Sequence, residues 1–211
     1  MAAASQKPGT IEYYQPEKGR ALNTFNRILS VSLGIIEHEG GEALNTNRIA
    51  ADSGINISTL YHYFPNKDSV LHALYTRWFD QLRLVADRHL GIRQAPTTLK
   101  AAYTSYILDL LNIDGFSPKA AVELERAIKS RKNLLDLDNR IVEQSIAAYA
   151  QDILAQQPDA DASRLTVPSA FMLVSIWGAI SIAADMEEAD YRDIAEHGAE
   201  MIMTLIQRAA S

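Results

Sequence analysis

The stretch that decides the fold is Gly54 to Leu71, "GINISTLYHYFPNKDSVL". Four rings occupy consecutive positions here: Tyr61, His62, Tyr63 and Phe64. A helix has one inward face and cannot bury them all. Winding from Ile57 at about 100° per residue brings Leu60 and Phe64 within about 40° of each other, as the core anchors. Ser58, Thr59, His62 and Tyr63 then cover the other side, with Ile57 and Tyr61 along the flank. That outer side is polar without being charged, whereas a solvated helix face usually carries Lys and Glu. Hydroxyls, phenols and an imidazole are short, directional groups that suit base edges and phosphate oxygens. The apolar Ile57 suits a thymine methyl.

Working upstream, "TNRIAADSG" from Thr46 reads as a short helix with Ile49 and Ala50 inward, capped by Asn45 or Thr46. Gly54 permits a turn that most residues resist, and Ile55 plugs it. Two short helices around a small residue make a helix-turn-helix, a shape that also serves proteins that bind no DNA. A longer helix is expected over Asn23–Glu39, with Phe25, Ile28, Leu29, Leu33 and Ile36 on one stripe, Asn23 as its cap and Gly40-Gly41 as its stop. Downstream, Pro65 ends the second short helix. Another runs from Lys67 to about Leu90 with Val70, Leu71, Leu74, Trp78, Leu82 and Val85 inward. Five more helices are expected near 97–112, 117–130, 133–156, 163–186 and 189–209. Strand signals are absent, so the chain reads as all-α.

The 211 residues are 47% hydrophobic, enough for one sizeable core or a small domain attached to a larger one. The absence of cysteine excludes a disulfide scaffold, a Cys-ligated metal and a cysteine nucleophile, and it fits a reducing, cytoplasmic setting. Charge is uneven: residues 1–95 hold 10 Lys+Arg against 9 Asp+Glu, and residues 96–211 hold 10 against 17. The N-terminal part can therefore present a local basic face although the chain is acidic overall. Residues 1–19 have no apolar run of the signal-peptide kind and read as a flexible arm. Leu165 to Ala184 is twenty residues without a charge. Its Pro, Gly and Ser content and unmarked flanks make it a core or interface helix rather than a membrane span.

Enzyme signatures are missing. The histidines at 38, 62, 72, 89 and 197 form no H-x-x-x-H or H-E-x-x-H pattern. Asp68 and His72 share a helix face, which an intrahelical hydrogen bond explains better than a metal does. No phosphate-binding loop, nucleophile elbow or dinucleotide fingerprint occurs, so no cofactor and no catalytic residue are expected. An all-α enzyme and a helical adaptor that binds protein remain the alternatives to a DNA-binding regulator.

Taken together, "RIL" at 27–29, "IIEHEGGEAL" at 35–44, "RIAADSGI" at 48–55 and "STLYHYFPNKDSVL" at 58–71 resemble the DNA-binding domain of the TetR family of transcriptional regulators. The departures are Ser53 before Gly54, where the family usually has Ala, and Ile57 in place of a commonly polar residue. Beyond Leu71 the resemblance is only one of helical layout. It implies a helix-turn-helix head over 20–66 and a ligand-binding and dimerisation domain over 67–211.

Carried over by position, Thr46, Asn47 and Arg48 would start the supporting helix near phosphates. Ile57, Ser58, Thr59 and His62 would face the major groove, and Tyr61, Tyr63 and Lys67 would grip the backbone. The resemblance also implies a homodimer on a near-palindromic duplex operator and a pocket for a small effector. Trp78, Tyr103, Tyr106, Tyr149, Met172 and Trp177 are candidate linings for an apolar or aromatic ligand. Phe171, Ser175, Gly178 and Ile182 form one stripe, and Ile194, Gly198, Met201 and Leu205 another. These are the candidate dimer faces, with intrachain packing as the alternative.

Overall fold

The computed structural model describes residues 12–95 and 97–209. Nine α-helices are formed among them, with no strand: α1 Gly19–Glu39, α2 Thr46–Asp52, α3 Ile57–Tyr63, α4 Lys67–His89, α5 Leu99–Leu111, α6 Pro118–Lys129, α7 Leu135–Gln156, α8 Thr166–Ala183 and α9 Tyr191–Ala209. The all-α expectation holds. α1 starts earlier than its stripe suggested. Asn23 lies inside it, and Lys18 stands at the N-cap without a side-chain bond.

The chain forms two compact units. The first comprises the chain up to Arg77 together with Glu123–Asp138; the second comprises Trp78–Val122 and the chain from Asn139 onward. The first unit therefore does not end at residue 66. Its hydrophobic centre is Ile28, Ile36, Leu44, Ile49, Leu60, Phe64 and Leu71, all buried. Gly40 stops α1 at φ +81°, its N–H on the Ile36 carbonyl at 2.8 Å. Gly54 turns the chain between α2 and α3 at φ +62°. A Cβ on Gly41 would lie 2.3 Å from the Ala127 Cβ, so this glycine lets the loop after α1 close onto the end of α6. Arg131, nearly buried, then donates to Asp68 at 3.2 Å, to Glu42 at 3.2 Å and to the Ala127 carbonyl at 2.6 Å. Asn133 also donates to Asp68, at 2.9 Å. These bonds tie 123–138 to the first unit, and in them the Asp68 carboxylate is taken by Arg131 and Asn133.

Residues 1–11 of the expected flexible arm lie outside the described residues. Residues 12–18 are not free. Pro16 is buried, and the Tyr13 ring lies 6.0 Å from Phe25 and 5.9 Å from Phe64.

In the second unit α9 packs on α5 and on α8. Gly198 makes the first contact possible, since a Cβ there would be 2.8 Å from the Ile107 Cδ1. α8 is long and apolar enough to cross a membrane, with a mean hydropathy of 1.7 and a third of its span buried in the chain. It is two-sided: Met172, Ile176, Ala179, Ile180 and Ala183 face inward, while Val167, Phe171, Val174 and Ile182 lie open.

Candidate nucleic-acid interface and effector core

α3 is only seven residues long, so its start must be held by a cap. Asn56 supplies it. Its Oδ1 accepts from the Thr59 N–H at 2.8 Å, the Ser58 hydroxyl at 2.6 Å and the Thr59 hydroxyl at 2.8 Å. Both hydroxyls donate into the cap, so their oxygens have only acceptor capacity left for other partners. Asn56 was not among the expected site residues. Its position one residue before the helix is the ordinary signal for a cap, but its second task shows only in three dimensions.

The open face of α3 follows the winding for Ser58 and His62, both exposed, with Thr59 and Ile57 partly covered. Tyr61 is 49% exposed. Tyr63 departs from expectation. It is 6% exposed, its ring edge-on to Phe25, and the Tyr14 ring covers its outer side. A helix wound in isolation leaves that flank open; the docked segment before α1 closes it.

Beside α3 lies a cleft of about 550 Å³ lined by Thr46, Asn47, Tyr61, Asn66 and Lys67 among others. The Thr46 hydroxyl and the Tyr61 phenol meet at 3.3 Å across it. Asn45 caps α2 and Asn66 caps α4. Lys67 stands at the first residue of α4, where the N-terminal end of a long helix favours anions. Arg48 differs from its expected role. Its guanidinium forks onto Glu39 at 2.5 and 2.7 Å and reaches Asp52 at 3.4 Å. Hydrogen bonding to Arg48 holds the Glu39 carboxyl below its usual range, and the same bond raises the guanidinium further. In the free protein, Arg48 is committed to the chain's own acids rather than offered to phosphates.

In the second unit, the expected effector residues divide into a tyrosine network, a tryptophan pair and Met172. Tyr103, Tyr106 and Tyr149 form a buried hydroxyl network: Tyr106 meets Tyr149 at 3.0 Å, and Tyr103 donates to Asp152. Asp152 also accepts from the Gly91 N–H at 2.8 Å and is 1% exposed. Burial pushes all three phenols up, Tyr149 to about 12. Trp78, buried, meets the half-buried Trp177 edge-on at 5.7 Å. Met172 is fully buried. Asp152 was missed because a lone acid in a helix reads as a solvated charge.

The expected dimer residues also divide. Phe171, Ile182 and Met201 are more than half exposed, and Ser175, Gly178, Ile194 and Leu205 are partly so. Gly198 is buried against Ile107 within the chain, so it is not available to a second copy.

Residues 28–74, which hold α2, α3 and both caps of the cleft, match the family model described as bacterial regulatory proteins, tetR family. That head is a tetR-family regulatory domain. A curated relative, an uncharacterized HTH-type transcriptional regulator in the dhlA 5' region of Xanthobacter autotrophicus, is 30% identical over 78 residues. That match spans 36% of this chain and 39% of the relative. Solved structures extend the likeness in fold beyond the TetR-family head. Salmonella enterica GusR superposes with a TM-score of 0.70 at 18% identity, over 90% of this chain and 98% of its own. A transcriptional regulator from Rhodococcus sp. Rha1 gives 0.69 at 15%, over 88% and 97%. NalD, the secondary repressor of the MexAB-OprM multidrug efflux pump in Pseudomonas aeruginosa, gives 0.68 at 16%, over 89% and 97%.

Proposed function

We propose that this protein is a cytoplasmic, ligand-responsive transcriptional repressor of the TetR family that binds a near-palindromic duplex operator as a homodimer. The observation that carries the reading is the open face of α3. Ser58, Thr59 and His62 are uncharged polar groups presented beside the Thr46–Tyr61–Lys67 cleft. With their protons taken by Asn56, the two hydroxyls present acceptors, which suits the amino groups of adenine or cytosine in the major groove. Tyr61, Lys67, Thr46 and Asn47 are assigned to phosphates. Tyr63 is left out of the contact set because its ring is in the core. Arg48 joins only if it leaves Glu39.

One head neutralises few phosphates, so a monomer would bind weakly. Two heads reading successive major grooves about 34–36 Å apart remedy this. The open apolar side of α8, with Phe171, Val174 and Ile182, and Met201 of α9 are assigned to the twofold contact. Repression is preferred because one structural neighbour carries the name of a repressor. An effector, apolar or aromatic, is assigned to the second unit around Trp177, the half-buried one of its two tryptophans. By linkage, an effector favouring the state that binds DNA poorly lowers operator affinity, typically by about 1–3 kcal/mol. No chemistry on a substrate is assigned.

The test is selection of bound duplexes from random DNA, followed by gel shifts. Alanine at Thr59 or His62 should alter sequence preference, and alanine at Tyr61 or Lys67 should weaken binding to every sequence. Unchanged affinity in all four would refute the assignment. A flat dependence of affinity on salt would favour the protein-binding adaptor. Sedimentation as a monomer at micromolar concentration would count against the dimer.

A further inference from the structure

Tyr14 lies outside the stretch that matches the family model, yet it sits on the reading helix. Its N–H donates to the Tyr63 carbonyl at 2.9 Å. That carbonyl belongs to the last turn of α3, where intrahelical donors run out, and Pro65 two residues on has none to give. Tyr13 and Pro16 anchor the segment inward, and Tyr14 and Gln15 between them lie outward, Tyr14 52% exposed. The Tyr14 ring stands 5.3 Å from His62 and lies nearly parallel to Tyr63, at 6.1 Å and 18°. His62 in turn meets Tyr63 edge-on at 5.1 Å. The imidazole thus packs against both tyrosine rings, which are themselves stacked, while remaining exposed to solvent.

An exposed imidazole without such neighbours samples several staggered rotamers and a broad second torsion. Holding it before DNA arrives lowers the ordering cost on binding and fixes which ring edge faces outward. We propose that Tyr14 is a specificity-positioning residue: by packing its tilted ring against His62, it holds the imidazole in the orientation that reads a base. The inference rests on the DNA-binding reading above and adds to it a residue that lies before α1.

The experiment uses the full chain. Wild type, Tyr14→Phe, Tyr14→Leu and His62→Ala are each put through duplex selection, then through gel shifts on the selected site and its single-base variants. Tyr14→Phe, which keeps the ring, should select the wild-type site. Tyr14→Leu and His62→Ala should lose preference at the same base position. Discrimination there should fall roughly tenfold, the scale of one well-placed base contact. Binding to non-specific duplex and its salt dependence should stay unchanged. The double variant should discriminate no worse than His62→Ala alone, because the two residues act through one contact.

Wild-type preference in Tyr14→Leu or in His62→Ala would overturn the inference. So would a uniform loss of affinity across all sequences in Tyr14→Leu, which is what a merely structural role gives. A Tyr14→Phe variant as impaired as Tyr14→Leu would also overturn it, by making the phenol itself the reader. If the wild type selects no sequence, the operator reading falls and this inference with it. If the wild type selects a site and Tyr14→Leu selects the same one, only this inference falls.

Discussion

Replacing Asn56 by Ala tests how the reading helix is held and how it reads. Asn56 Oδ1 gathers three donors, the Thr59 N–H and the Ser58 and Thr59 hydroxyls, at 2.6–2.8 Å. Loss of an N-cap of this kind costs about 1 kcal/mol, within a range of about 0.5–2. The two hydroxyls lie at the surface, where water replaces the lost acceptor, so they add little to that figure. For a chain of this size, 1 kcal/mol lowers a thermal midpoint by roughly 2–4 °C. The larger effect should be on recognition. Freed rotors can donate as well as accept, so Ser58 and Thr59 no longer present acceptors alone. A loss of about 1 kcal/mol in discrimination at the bases they face is a factor of about five.

Asn56→Asp separates the two effects. It keeps the acceptor and should keep the midpoint, while its negative charge beside the groove weakens binding to every sequence. Circular dichroism melts give the first quantity, and gel shifts on single-base variants give the second. An Asn56→Ala protein with wild-type midpoint and wild-type preference would refute the capping argument. So would an Asn56→Asp protein that melts as early as Asn56→Ala.

Gly41→Ala would place a Cβ 2.3 Å from the Ala127 Cβ and 3.2 Å from its Cα. Because backbone as well as side chain must move, the cost should be about 1–3 kcal/mol, read as a fall in the urea midpoint. Glu39→Gln should release Arg48. If Arg48 then reaches a phosphate, the slope of log affinity against log salt steepens by about one per subunit; an unchanged slope would place it away from the backbone. The buried phenols give a signed alkaline prediction. Tyr149 is raised from 10.0 to about 12, and Tyr103 and Tyr106 are raised by the same burial. A raised folded value means their contribution to stability is complete below about pH 10 and is lost as pH climbs through the folded values. Alkaline unfolding should therefore begin above about pH 10, and Tyr149→Phe should move it to higher pH.

Much of the head was legible because its signals are local. Gly40, Gly54 and Pro65 end elements by backbone geometry alone, and the winding of α3 sorted Leu60 and Phe64 from Ser58 and His62. What escaped was set by parts of the chain remote in sequence. Tyr63 was assigned to the open side because nothing in positions 57–64 reveals that Tyr13 and Tyr14 dock there. Arg48 was offered to DNA because its acid partner Glu39 lies nine residues away on another helix. Gly198 was assigned to a second copy because a small residue in an apolar stripe admits close approach by any neighbour, and here the neighbour is Ile107 of the same chain. The candidate effector residues are legible as large apolar and aromatic side chains, but the acid that fixes Tyr103 is not, since Asp152 gains its meaning only from burial.

The membership of 123–138 in the first unit bears on how such regulators can be recombined. Gly41, Glu42 and Asp68 have their packing and bonding partners in Ala127, Arg131 and Asn133. A graft that transplants only residues up to Arg77 onto another regulator's body would leave the Gly41 notch empty and the Asp68 carboxylate without its guanidinium. The first and second units of this chain are therefore not exchangeable at a single crossover. A working hybrid has to carry two separated pieces of sequence together.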